Sequence, residues 1–342
     1  MSASGTLLDL HDALLLDLDG VVYVGADPVA HAVDAIASAR RAGVATAYVT
    51  NNAARPPTVV AAHLRSFGLV VEEADVVTSA QAGARALAAR IPPGSRVLAV
   101  GGPGVAIALE ARGLVPVDSA EQEPAAVLMG YGPDVSWRHL AEASYAVGAG
   151  ALFVVTNLDL SIPTDRGIAP GNGTLVAAVV SATGVQPALV AGKPYATLME
   201  ESVERIGARR PLIVGDRLDT DIEAGHSTGI PSLLVLTGVT TVDALLDAPP
   251  HRRPTYVSAD LRGLLAPAVG LRPRIDDIDD IDVTDLDGLG GLRRAAFLSW
   301  AAADAGRSFE WRPAEIDQLE RAVRAALHRP ALHRPALHLP SP

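Results

Sequence analysis

The 342-residue sequence contains no cysteine, which excludes disulfides, thiolate chemistry and Cys-ligated zinc. Aromatic residues make up only 4% of it, and the net charge is −11. Without a basic stripe or interleaved aromatics, no nucleic-acid partner is expected. The longest apolar runs span about seven residues, against the ~20 that a membrane helix needs, so no membrane partner is expected either. No basic segment precedes the first apolar run, "ALLL". A signal peptide is therefore not read, and the expected location is cytoplasmic. Lysine is almost missing as well. Of the 28 Lys and Arg residues, 27 are arginine, and the single lysine is Lys193 in "LVAGKPYAT".

What is present is a globular composition, 49% hydrophobic and 20% charged, in a chain long enough for two domains. Short apolar runs alternate with Ala-rich helical stretches. "ALLLDLDG" precedes "PVAHAVDAIASARRAG", and "VATAYVTNN" precedes "PTVVAAHLRSFG". "RVLAVGG", "AAVLMG", "ALFVVTN", "PLIVGD" and "PSLLVLTG" follow. This rhythm predicts an α/β fold with a doubly wound, Rossmann-like parallel sheet covered on both faces. Near residue 265 the rhythm stops. An Asp-rich run (275–288), two apolar helical stretches and a Pro-rich "HRPAL" repeat follow, which predicts a mostly helical extension with a frayed end.

Asp17, Thr50, Asn51 and Asp216 all stand at the C-terminal ends of apolar strands, where open α/β sheets bind ligands. In "LDLDG", Asp17 and Asp19 are two apart and would point to one side of a strand. They can share a metal or divide nucleophile and proton-transfer roles, or form a plain strand-end turn. In "GDRLDTDI", Asp216, Asp219 and Asp221 can join them around a hard divalent cation such as Mg²⁺, or cap a following helix. In "YVTNN", the Thr50 hydroxyl and the backbone N–H groups of Asn51 and Asn52 can cradle phosphate oxygens, or make a turn. A site this acidic needs positive charge, and the compact ammonium of Lys193 suits a crowded place better than a guanidinium.

In order, spacing and strand context these four elements resemble the haloacid dehalogenase superfamily of Mg²⁺-dependent phosphohydrolases. "LDLDGVVY", "TNNAARP", "PGNGTLVAAV", "AGKP" and "GDRLDTDI" are similar to its NagD-type subgroup, which has an inserted cap and includes 4-nitrophenyl, phosphoglycolate and glycerol-3-phosphate phosphatases. The resemblance implies Asp17 as nucleophile, Asp19 as general acid and then base, and Lys193 as charge-neutralising group. Thr50, Asn51 and Asn52 are implied to bind the phosphoryl oxygens. Mg²⁺ is implied at the Asp17 carboxylate, the Asp19 carbonyl and Asp216, with Asp221 orienting it through water. It further implies a discontinuous core, 1–78 and 190–268, an α/β cap at 79–189, and an extension, 269–342, outside the family pattern. The cap loop 163–174 is expected to carry Gly171, Asn172 and Gly173 toward the leaving group, with Arg166 either reaching an anionic leaving group or, the favoured reading, lying on the surface. Gly130-Tyr131-Gly132 departs from the subgroup's usual Gly-Tyr-Asp.

The expected activity is hydrolysis of a small phosphate monoester, glycerol 3-phosphate first. Phosphoglycolate, sugar phosphates and nucleotides are the alternatives, and a homodimer through the cap is the expected assembly. A reading of another class makes the extension an interaction module or a degenerate acyl-CoA-binding fragment. Three decoys are set aside. "GHSTG" (225–229) follows a helix, the reverse of a nucleophile elbow, so Ser227 is not read as a nucleophile. "VGGPGVAI" lacks the third glycine of a dinucleotide turn. The run 275–288 fails the EF-hand ligand pattern.

Overall fold

The structure is a computed structural model, and it describes residues 5–164, 166–271, 288–307 and 310–328. The Asp-rich stretch up to Asp287 and the "HRPAL" repeat lie outside the described residues.

Six parallel strands form the first sheet. Their order is Tyr256–Ser258, Ser232–Val235, Pro211–Gly215, Ala13–Leu16, Ala45–Thr50, Val76–Thr78. "ALLL" is the central strand and is buried on both sides. Period-2 alternation divides it between two cores. Leu14 and Leu16 join the cluster under helices Ala32–Arg41 and Pro57–Ser66. Leu15 joins Ala47, Val49 and Leu198 under helix Ala196–Ile206. A run with no polar position is what a strand covered twice requires.

After Val76–Thr78 the chain leaves this sheet and builds a second one. Its five parallel strands run in the order Leu189–Val190, Leu152–Val155, Ala126–Met129, Arg96–Val100, Val115–Val117. It too is covered on both faces, with Leu87 and Leu109 in one core and Val147 and Val179 in the other. A hairpin, Ser161–Thr164 with Gly167–Pro170, projects from it, and the chain re-enters the first sheet at Pro211.

The C-terminal ends of the two sheets meet. A Cβ on Gly102 would lie 2.7 Å from the Ala54 carbonyl oxygen, and one on Gly104 would lie 2.4 Å from that of Ala53. The glycines of "GGPGV" thus permit backbone contact between the sheets, which accounts for a dinucleotide-like pattern with no phosphate role.

Beyond the second gap, helices Gly288–Asp304 and Pro313–Leu327 pack on helix Val242–Leu246 and beside the edge strand Tyr256–Ser258. Arg293 donates to the Val257 carbonyl at 2.7 Å, and so satisfies part of an edge that would otherwise be open. No helix among the described residues is long and apolar enough to cross a membrane.

Candidate active site

Asp17 follows directly on the central strand and Asp216 on its neighbour Pro211–Gly215, so parallel pairing brings them together. Asp221 sits on the wide π-helical turn Leu218–Ile222 that follows. One carboxylate oxygen from each of Asp17, Asp216 and Asp221 lies within 4.8 Å of the others. Asp216 and Asp221 are buried, while Asp17 is 13% exposed.

Lys193 enters from the loop between the two sheets. Its Nζ donates to Asp17 Oδ1 at 2.5 Å and to Asp221 Oδ1 at 2.7 Å, and only 4% of the side chain is exposed. Burial alone would lower its pKa, but the two carboxylates outweigh that and hold it above its ordinary value. Burial raises the Asp17 carboxyl well above its usual range; Lys193 opposes this, and Asp221 and Asp216 push it further up. Asp216 is pushed up to about 6, first by burial and then by Asp221, against the Val239 N–H and Lys193.

Small residues make room for this crowd. A Cβ on Gly238 would lie 1.9 Å from Asp216 Oδ2, and one on Gly215 would lie 2.1 Å from Asp221 Cγ. Val239 N–H donates to Asp216 Oδ2 at 2.7 Å, whereas Asp216 Oδ1 is buried without a partner among the described residues. A buried carboxylate oxygen left open beside two other acids has the donor chemistry of a hard-cation site.

Asp19 departs from the strand-periodicity expectation. The strand ends at Leu16, and Leu18 to Tyr23 turn tightly, with three N–H groups on the Leu18 carbonyl. Asp19 therefore lies outside the carboxylate cluster, exposed at the mouth of the cleft. The cleft walls still remove enough water to raise its carboxyl, opposed by Arg55, Lys193 and His63. A carboxyl that holds its proton more tightly than usual, two residues from Asp17, is suited to give a proton to a leaving group.

The Thr50 hydroxyl accepts the Asn52 N–H at 3.1 Å and Asn52 Oδ1 accepts the Ala54 N–H at 2.9 Å, which shapes the loop. The Asn51 side chain is committed to the lysine loop. Its Oδ1 accepts the Lys193 N–H at 2.8 Å, and its Nδ2 donates to the Lys193 carbonyl at 3.1 Å.

Residues 171–173 open helix Asn172–Thr183 and have a different setting from the expected one. Asn172 is 1% exposed, and its Nδ2 donates to the Asn157 carbonyl at 2.8 Å. A Cβ on Gly171 or on Gly173 would lie 2.2 Å from the carbonyl oxygen of Asp159 or Leu158, respectively. These three residues support strand-end residues 157–159 from behind. Arg166 is exposed at the hairpin turn, where its N–H donates to the Thr164 hydroxyl at 3.3 Å. Ser227 sits on helix Glu223–Thr228 and donates to the Pro194 carbonyl at 2.9 Å. Asp219 pairs with Arg217 at 2.9 Å. Burial would raise its carboxyl, but that guanidinium holds it below the usual value.

Two site elements went unread in the sequence. Asn157 donates to the Asn51 carbonyl at 2.8 Å, and Asp159 approaches Asn51 Nδ2 at 3.4 Å. Their signal was present: "VTNLD" ends an apolar strand as "VTNN" does. The Thr237–Thr240 loop, which holds Asp216, carried no such signal, because its bond to the Asp216 carboxylate comes from the backbone N–H of Val239.

A sequence profile of haloacid dehalogenase-like hydrolases matches residues 14–115, and a second, HAD-hydrolase-like profile matches 190–264. The D-glycerol 3-phosphate phosphatase of Mycobacterium tuberculosis is 49% identical over 254 residues, 74% of this chain and 71% of that protein. The chain belongs to the haloacid dehalogenase-like hydrolase family. Within it, an acid sugar phosphatase of Staphylococcus saprophyticus is 37% identical over 75% of this chain and 97% of its own length. Among solved structures of the family, the M. tuberculosis glycerol phosphate phosphatase in complex with magnesium superposes with a TM-score of 0.82 at 42% identity, over 92% of this chain and 98% of that one. The p-nitrophenyl phosphatase of Archaeoglobus fulgidus gives 0.70 at 30% identity, over 75% of this chain and 98% of its own. The wider coverage by the first takes the likeness into the C-terminal helices.

Proposed function

We propose that the chain is a Mg²⁺-dependent phosphatase that hydrolyses a small phosphate monoester, glycerol 3-phosphate, through an aspartyl-phosphate on Asp17. The observation that carries this reading is the buried ammonium of Lys193 bridging Asp17 and Asp221 in a cluster that also contains Asp216. With three ionised carboxylates and one ammonium the cluster carries two negative charges in excess, which one divalent cation balances. The open Asp216 Oδ1 fits the same ion. Asp17, Asp216 and the Asp19 carbonyl would hold it directly and Asp221 through water. When bound, it would neutralise charge on the phosphoryl oxygens and orient them.

The residues divide the reaction among themselves. Asp17 attacks phosphorus, and the bond to the alcohol oxygen breaks as Asp19 gives that oxygen a proton. Asp19 then takes a proton from water, which hydrolyses the aspartyl-phosphate and frees phosphate. Lys193 balances the negative charge on Asp17 and the phosphoryl group throughout, and backbone N–H groups after Thr50 receive phosphoryl oxygens.

Residues 1–78 with 190–268 act as the catalytic core and 79–189 as the cap that selects the leaving group. The lean to glycerol 3-phosphate is supported by the 49%-identical relative of that name. A cytoplasmic location is part of the same reading, and cell fractionation tests it. A homodimer through the cap completes the reading, and mass in solution tests it. Phosphate release should be fastest from glycerol 3-phosphate in a panel with phosphoglycolate, sugar phosphates and nucleoside monophosphates, and should require Mg²⁺. Faster release from another member, or release unaffected by a chelator, would overturn the respective part.

The raised Asp216 pKa gives the metal site a pH dependence. The folded chain binds this proton more tightly than the unfolded chain, whose carboxyl keeps the ordinary value of 3.8. Without metal, this one group therefore lowers stability as pH rises between about 4 and 6, by at most about 3 kcal/mol. Mg²⁺ competes with that proton, so it should raise the melting temperature more at about pH 7.5 than at about pH 5. Equal shifts at both values would contradict the assignment.

A further inference from the structure

The described residues beyond 268 contribute no group to the reaction above, yet their helices share one hydrophobic cluster with the metal-site loops. Leu292 and Trp300 lie in it with Leu245, Leu236 and Ile222. Ile222 adjoins Asp221. Leu236 and Val242 bracket the segment Thr237–Thr241, and both belong to the cluster. Within that segment the Val239 N–H grips Asp216 Oδ2 at 2.7 Å, and the Thr240 N–H and hydroxyl donate to the Asp216 carbonyl at 3.2 and 2.5 Å. Both roots of the loop that aims Asp216 are thus set in a core that the C-terminal extension completes.

The firmest link is Trp300. It is 6% exposed, its Nε1 donates to the Leu245 carbonyl at 3.0 Å, and the Arg253 guanidinium lies 5.4 Å from its ring centroid. Arg253 in turn pairs with Asp304 at 2.7 Å. Helix Val242–Leu246 has five residues, too few to hold its place unaided. Packing against Trp300 and Leu292 fixes it.

We propose that the C-terminal extension is a buttress for the metal site, and that Trp300 is the positioning residue through which it holds the Asp216 loop. The inference rests on the reading of the Asp17, Asp216 and Asp221 cluster as the metal site. Loss of a partner that orients a ligand typically weakens metal binding about 10- to 100-fold. An extension that merely covers the edge strand Tyr256–Ser258 would affect melting temperature and leave metal affinity alone.

Calorimetric titration of the full chain with Mg²⁺ separates the two. Trp300→Ala should raise the dissociation constant about 10-fold, with phosphate release restored by added Mg²⁺. Trp300→Phe keeps an aromatic ring, a smaller one, and loses the N–H, and should raise it about 3-fold. Arg312→Ala, on the exposed surface of the extension, should change nothing. A folded Trp300→Ala protein with unaltered Mg²⁺ affinity overturns the proposal, as does equal weakening by Arg312→Ala. If Trp300→Ala does not fold, Trp300→Phe decides by the same criterion. If the unaltered chain binds no Mg²⁺, the ligand reading has failed. Amide exchange over 237–246 then decides the buttress: faster exchange in Trp300→Phe supports it, and unchanged exchange overturns it.

Discussion

Asp17→Asn should lower phosphate release from every monoester by at least about 10⁴-fold and leave the chain folded. An amide is a poor nucleophile and gives no aspartyl-phosphate, so the first chemical step has no substitute in the cleft. Asp19, the nearest other acid in sequence, is turned out to the mouth and lies outside the carboxylate cluster. The fold should tolerate the change because Asp17 is a source of strain in the metal-free site. Burial and the charges of Asp221 and Asp216 all disfavour its ionised form, and asparagine removes one of the crowded negative charges. Lys193 keeps its bond to Asp221 at 2.7 Å and so is not left buried without a partner. The expected pair of results is an inactive protein whose melting temperature in the absence of Mg²⁺ is equal to or above that of the parent. Activity within about 10-fold of the parent would remove Asp17 from the nucleophile role.

The contrast between Asp17 and Asp19 shows what the sequence could and could not tell. That "ALLL" is a strand buried on both faces follows from its lack of any polar position, and its central place in the sheet agrees. From there Asp17 and Asp216 are legible, because parallel neighbours end on the same side. The separation of Asp19 was not legible, since period-2 reasoning holds only while the chain is extended, and the turn on the Leu18 carbonyl begins at once. The burial of Asn172 was not legible for a related reason. Its place in a Gly-rich loop suggested contact with a ligand, but the glycines are needed for close approach to the Leu158 and Asp159 carbonyls, and this puts the asparagine inside. The grip of Val239 on Asp216 is a backbone interaction. No side chain announces it, and only the return of the chain through the first sheet creates it.

Lys193→Arg should lower kcat/KM about 10²- to 10³-fold although the charge is kept. The ammonium serves two carboxylates at one point, Asp17 Oδ1 at 2.5 Å and Asp221 Oδ1 at 2.7 Å. A guanidinium offers a planar fork that pairs side by side with one carboxylate, and it is wider than the ammonium it would replace, on a side chain that is only 4% exposed. The backbone cannot retreat to make room. Asn51 holds both the N–H and the carbonyl of Lys193, and a Cβ on Gly192 would already be 2.5 Å from Asn51 Oδ1. The longer side chain must then displace Asp17 or enter the volume that the phosphoryl group needs, with an overpacking cost of about 1–3 kcal/mol in stability. Lys193→Met should be worse for stability, since it strips Asp17 and Asp221 of their shared counter-charge, at about 3–5 kcal/mol. Steady-state kinetics and thermal melts of both variants check the pair. An arginine variant within about 3-fold of the parent would mean that charge alone suffices here. In that case the one lysine in a chain of 27 arginines would need no chemical explanation.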